Sequence, residues 1–198
     1  MHVWPGDDEF EMRLTSSIAG GDGVNVSNAS LSLHTGTHVD APRHYFDAAR
    51  GVDRIPLNAL CGPCVVVAKS GEGHVDGDDV NQLPAGVERV LFKTANGAAS
   101  QRESPTFDQA FVALTEAAAD RLIERGVVLV GVDGPSVEPF EQAEDEARVH
   151  RALLRAGVVV VEGLDLRSAE PGNYTLACLP LKIADAVGSP ARAILLPP

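Results

Sequence analysis

Residues 141–162, EQAEDEARVHRALLRAGVVVVE, decide the fold class. Acids crowd the start of this stretch, Arg148, Arg151 and Arg155 stand later, and Gly157 follows. That order complements a helix dipole and ends at a residue suited to a helix C-terminus, so a helix is expected over 141–156. It feeds directly into four valines and Glu162, a continuous β-branched run that reads as a strand buried on both faces, 158–162. A second unit has the same form. Thr115 can cap a helix over 116–125, Gly126 ends it, and 127–132 reads as the next strand. Helices that run straight into apolar strands describe an α/β sheet with covered faces.

Further strands are expected at 29–34, where Leu31 and Leu33 alternate, and at 64–68, 89–94, 174–179 and 191–196. The Gly-, Asp- and Asn-rich stretches 20–28 and 70–79 read as loops. The sum is α/β with more strand than helix, in one domain spanning 1–198, a length that suits a single core.

Composition narrows the function. Hydrophobic residues at 44% and charged residues at 22% exclude wholesale disorder. A net charge of −12 argues against nucleic-acid or anionic-membrane partners, which reward clustered Lys and Arg. No apolar run approaches the roughly 18 residues of a membrane span. The start has no basic n-region or apolar h-region, and three cysteines cannot build a disulfide framework, so a cytoplasmic protein is expected. The Asn-x-Ser/Thr triplets at Asn25, Asn28 and Asn173 are then chance matches.

Two motifs invite misreading. Cys61-Gly62-Pro63-Cys64 copies the thioredoxin spacing, yet it leads into Val65-Val66-Val67, a strand, where that chemistry needs a helix. Gly71, Gly73 and Gly77 miss the dinucleotide spacing, and Asp76, Asp78 and Asp79 would repel a pyrophosphate. Both read as turns.

The informative segment is His34-Thr35-Gly36-Thr37-His38-Val39-Asp40-Ala41-Pro42-Arg43-His44. Six histidines in 198 residues put about 0.3 in an average window of this length, and this one holds three. Gly36, Thr37, Val39 and Pro42 oppose a helix here. In an extended chain even offsets share a face, so His34, His38, Asp40 and His44 would project together. Two imidazoles and a carboxylate form a ligand set for Zn²⁺, Mn²⁺ or Fe²⁺. Three ligands leave the shell incomplete. His150, on a face with Ala147 and Leu154, and Glu162, closing a valine run where a bare carboxylate is costly, each read alone as structural. Together they are the best supply of second-metal ligands.

These residues resemble the cyclase family of metal-dependent hydrolases, whose hallmark is His-x-Gly-Thr-His-x-Asp-x-Pro-x-His. Within it, Val3-Trp4-Pro5-Gly6-Asp7, Val132-Asp133-Gly134-Pro135-Ser136, His150, Glu162-Gly163 and Leu179-Pro180-Leu181-Lys182 look like the bacterial kynurenine formamidase (arylformamidase) branch. The resemblance implies a strand-rich mixed sheet or barrel-like core flanked by a few helices, of the swivelling β/β/α type. It implies two divalent ions, zinc foremost, with His34, His38 and Asp40 on the first, His150 and Glu162 on the second, and Asp40 bridging. His44 would be the general acid/base and Trp4 would contact an aromatic amide, N-formyl-L-kynurenine in this branch, or a lactam such as isatin in others. Relatives form homodimers, so a homodimer is expected. Where relatives often carry a second histidine, this chain has Arg151.

Overall fold

A computed structural model describes residues 3–97, 107–143 and 146–198. His2, and Glu144 and Asp145 of the expected helix, lie outside the described residues. The valine runs pair with one another. β3 (His38–Asp40), β4 (Cys61–Ala68), β5 (Arg89–Lys93), β6 (Leu129–Val132), β7 (Val159–Glu162), β8 (Gly172–Pro180) and β9 (Gly188–Leu196) close into a seven-stranded barrel in the order β3-β7-β6-β5-β4-β8-β9. β4 to β7 run parallel, while β8, β9 and β3 join antiparallel. The expected mixed, strand-rich, barrel-like core is the one that forms.

Successive residues of the parallel strands enter two different cores, which is why their sequences show no alternation. Val66, Leu91, Leu129 and Val161 point into the barrel with Val39 and Leu176. Val65, Val90, Val130 and Val160 point outward, under Leu122, Val149 and Leu153 of the helices Glu116–Glu124 and Arg148–Ala156. Each such Val or Leu, fully buried, contributes about 1.5–3 kcal/mol. Among the described residues no helix is long and apolar enough to cross a membrane.

Five expectations change. The strand expected at 29–34 lies earlier, as β2 (Val26–Ser30), inside what read as a loop; it pairs with β1 (Glu11–Ser16) in an exposed ribbon. The Asp-rich stretch 70–79 ends in a helix start: Asp76 and Asp79 form a reciprocal capping box on Gly77–Asn81. The helix expected over 141–156 is divided into Phe140–Ala143 and Arg148–Ala156, with Ala147 in the left-handed region at φ 43°. Its cap comes from outside, since the Glu138 carboxylate accepts from the N–H groups of Val149 and His150. Fourth, His34 and His44 lie on turns either side of a strand only three residues long. Fifth, the Cys61–Cys64 motif, read as a turn, is itself strand: it is the first half of β4 and pairs with Tyr174–Ala177 of β8; burial pushes the Cys64 thiol up to about 12, and all three cysteines are free.

Candidate metal centre

The centre is built where β3 meets β7. Gly36 takes φ 69°, turning the chain so that His34 folds back over the strand that follows. His38 and Asp40 then project from β3 on one side, two residues apart, with His38 opposite Glu162 of β7. Ala41 is extended, as the residue before a proline must be, and Pro42 starts the single 3-10 turn Pro42–His44 that brings His44 back over the same face. Gly163, at φ 65°, lies so close to this turn that any Cβ would collide with the Gly36 carbonyl.

The seven residues singled out from the sequence come together. Trp4, His34, His38, His44, His150 and Glu162 line one cleft, with Asp7, Tyr45 and Ser136 among its other walls. Asp40 is fully buried beneath them. Its carboxylate lies 2.8 Å from His34 Nδ1, 3.4 Å from His38 Nε2 and 3.5 Å from His150 Nε2. Glu162 lies 3.2 Å from His38 Nε2 and 3.0 Å from His150 Nε2. Two sets of three can therefore each hold an ion: His34, His38 and Asp40, and Asp40, His150 and Glu162.

The donor atoms fit a cation. Both oxygens of Asp40, Nε2 of His38 and Nε2 of His34 are buried without a hydrogen-bond partner. Orphaned buried polar atoms are costly, and four in one cluster call for an electrophile that satisfies them together. The imidazoles are set for ligation by what holds their far sides. His38 Nδ1 is 2.9 Å from the Gly36 carbonyl, which fixes the proton there and leaves the Nε2 lone pair for the cluster.

Without a cation the cluster holds its charge as protons. Burial would push the His38 imidazole down, but Asp40 and Glu162 outweigh it and bring it up to about 10. Burial opposes the charge on His150 too, and Glu162, Asp40 and Glu138 hold it well above its ordinary value. Asp40 resists burial because His150, His34 and His38 keep it well below the usual carboxylate range. Glu162, pushed up by burial and Asp40, is drawn down to about 2 by His150 and His38. His44 goes the other way. Burial pushes it to about 4, Asp40 pulling against it and His34 adding to it, so it is neutral at pH 7.

Trp4 is held by an aromatic group that the sequence did not announce. Its ring centroid lies 5.3 Å from Phe107, 6.3 Å from Phe111 and 5.3 Å from Phe140. Arg151 lies 5.2 Å over the Tyr45 ring and does not line the cleft.

This chain matches the Cyclase family model over residues 1–139. It belongs to the cyclase family. It is 40% identical over 196 residues to the kynurenine formamidase of Salinibacter ruber, which spans 98% of this chain and 90% of that protein. Its fold matches a predicted metal-dependent hydrolase from Bacillus stearothermophilus, with a TM-score of 0.81 and 30% identity, covering 98% and 91% of the two chains. Isatin hydrolase A from Labrenzia aggregata follows at 0.79 and 26%, covering 96% and 83%.

One residue of this cyclase-family centre escaped sequence reading. Glu138 is fully buried, and besides capping the Arg148–Ala156 helix its carboxylate lies 3.2 Å from His150 Nδ1. It thereby orients the ring so that Nε2 faces Asp40 and Glu162. The signal was present: a carboxylate between Val137 and Pro139-Phe140 is as expensive in an apolar run as Glu162 is after four valines.

Proposed function

We propose that this chain, acting as one domain over residues 1–198, hydrolyses N-formyl-L-kynurenine to L-kynurenine and formate. His34, His38 and Asp40 would hold one divalent cation, and His150 and Glu162, with Asp40 common to both sets, would hold a second. The observation that carries this reading is the pair of ligand sets sharing Asp40 at the floor of a cleft walled by Trp4 and His44. The nearly full-length likeness to a kynurenine formamidase supports the substrate. Zn²⁺ suits imidazole and carboxylate donors, and Mn²⁺ or Fe²⁺ would use the same residues.

A divalent cation held by these residues would supply Lewis acidity, enough to bring the pKa of a water toward about 7. The chain's own residues do the rest. His44 takes a proton from the attacking water and returns it to the aryl nitrogen as the C–N bond breaks. Trp4, braced by Phe107 and Phe140, offers its face to the aryl ketone ring. Glu138 keeps His150 in the ligating tautomer.

The test is turnover of N-formyl-L-kynurenine, isatin and a simple aryl formamide, each with and without a chelator. Chelator-sensitive hydrolysis of formyl-kynurenine, at a kcat/KM well above the other two, is expected. Preference for isatin would move the chain to the lactam-cleaving side of the family, the alternative favoured by its likeness to isatin hydrolase A. No turnover of any of the three would leave a metal-binding protein without this activity.

Glu138→Gln tests the support of the centre. Metal affinity, read by chelator competition, should fall about 10- to 100-fold. An unchanged affinity would remove Glu138 from the centre and leave it a helix cap.

A further inference from the structure

Asp133 follows β6 directly and is buried, yet it stands outside both ligand sets of the described residues. Its carboxylate accepts from the Thr94 backbone N–H at 2.8 Å and from the Thr94 hydroxyl at 2.6 Å. The end of β5 is thereby tied to the end of β6. The Thr94 hydroxyl in turn accepts from the Asn96 N–H at 3.1 Å. Asn96 is buried as well, and its Nδ2 lies 3.5 Å from Asp133 Oδ1. A buried carboxylate and a buried carboxamide that share partners set one another's orientation.

The rest of the Asn96 amide is directed at one residue. Its Oδ1 accepts from the Val112 N–H and its Nδ2 donates to the Val112 carbonyl, both at 2.7 Å. Those are the two bonds a residue exchanges with its opposite number in an antiparallel pair, but Val112 lies in an irregular stretch, 111–113. The side chain stands in for a strand. Gly134 leaves room for it, since a Cβ there would meet Asn96 Nδ2 at 2.5 Å and the Val112 carbonyl at 3.1 Å.

The gripped segment reaches the cleft. Phe111 adjoins Val112 and is buried, with its ring centroid 6.2 Å from that of Phe107, and both rings meet Trp4 edge-on. On the other side, the chain that leaves Asp133 continues into Pro135 and Ser136, which line the cleft with Trp4.

We propose that Asn96, oriented by Asp133 and Thr94, is a positioning residue for the aryl-binding wall. By gripping Val112 it sets Phe107 and Phe111, and through them the face that Trp4 turns to the substrate. This rests on the reading of Trp4 as the group that meets the aryl ring. The effect falls on binding, because Asn96 belongs to neither ligand set and acts only through the wall.

Asn96→Ala tests the assignment on the full chain with N-formyl-L-kynurenine. KM should rise about tenfold, the scale of one misplaced aromatic contact, with kcat within about twofold of wild type. Metal content should be that of the wild type. Trp4 is the single tryptophan of the chain, so its fluorescence reports on this wall. Its emission should shift to longer wavelength, and acrylamide should quench it more readily. Thr94→Val keeps the shape and removes the hydroxyl that joins Asp133 to Asn96. It should move KM and emission the same way by a smaller amount, and it decides the matter if Asn96→Ala does not fold. A lowered melting temperature with KM and Trp4 emission unchanged overturns the proposal and leaves Asn96 a purely structural residue. So does a fall in kcat accompanied by loss of metal. A wild type that does not turn over formyl-kynurenine defeats the proposed function by itself, and Trp4 emission still judges the clamp: unchanged in both variants, it falls too.

Discussion

Asp40→Ala is expected to purify with neither metal position filled and to lose about 10³-fold or more in kcat/KM, a transition-state loss of about 4 kcal/mol. Asp40 is common to both ligand sets among the described residues, so one substitution leaves each set with two members. That is fewer than the three protein ligands that usually retain a catalytic divalent ion. The loss is also electrostatic. With Asp40 gone, Glu162 is left as the single carboxylate of these sets facing both His38 and His150, and the cluster's pull on a dication is weakened. The β3 ladder is made of backbone and should persist, so circular dichroism will separate an emptied centre from an unfolded chain. The deciding measurement is the metal content of the purified variant. One ion per chain retained by Asp40→Ala would remove the bridging role.

His44→Ala is expected to keep both ions and lose about 10²-fold or more in kcat, about 2.7 kcal/mol. The side chain stands outside both ligand sets, with its ring centroid 4.1 Å from His34 and 4.5 Å from Tyr45. Its neutrality at pH 7 suits a group that must first accept a proton. KM should move little, because in the proposed function the aryl ring is met by Trp4, on another wall of the cleft. Unaltered turnover with a full metal complement would take His44 out of the mechanism.

What the sequence disclosed was chemistry more than path. The residues at 34, 38, 40 and 44 converge, but they do so through a turn, a three-residue strand and a 3-10 turn, where an extended chain would have sufficed to group them. Gly36 at positive φ and Pro42 at a helix start explain the difference, and each is a local preference that alternation cannot express. The valine runs were legible because burial on both faces removes every polar position from a strand. β1 was missed because its apolar row, Met12 and Leu14, is open to solvent among the described residues, where a half-buried strand would show one covered face. The division of the 141–156 helix depends on Glu138, a cap supplied through the fold. Local acids, however well placed for a dipole, carry no record of a carboxylate arriving from elsewhere.

β3 is also the piece that joins the two ends of the barrel wall, with three residue pairs to β7 on one side and three to β9 on the other. His38 stands directly across that join from Glu162. An ion held as proposed by Asp40 of β3 and Glu162 of β7 would be a rivet through the seam of a cylinder. Loading and closure would then be one equilibrium, so a depleted protein should breathe at 38–40 before anywhere else in the wall, and whatever sequestered the ion would loosen the vessel along with the catalyst.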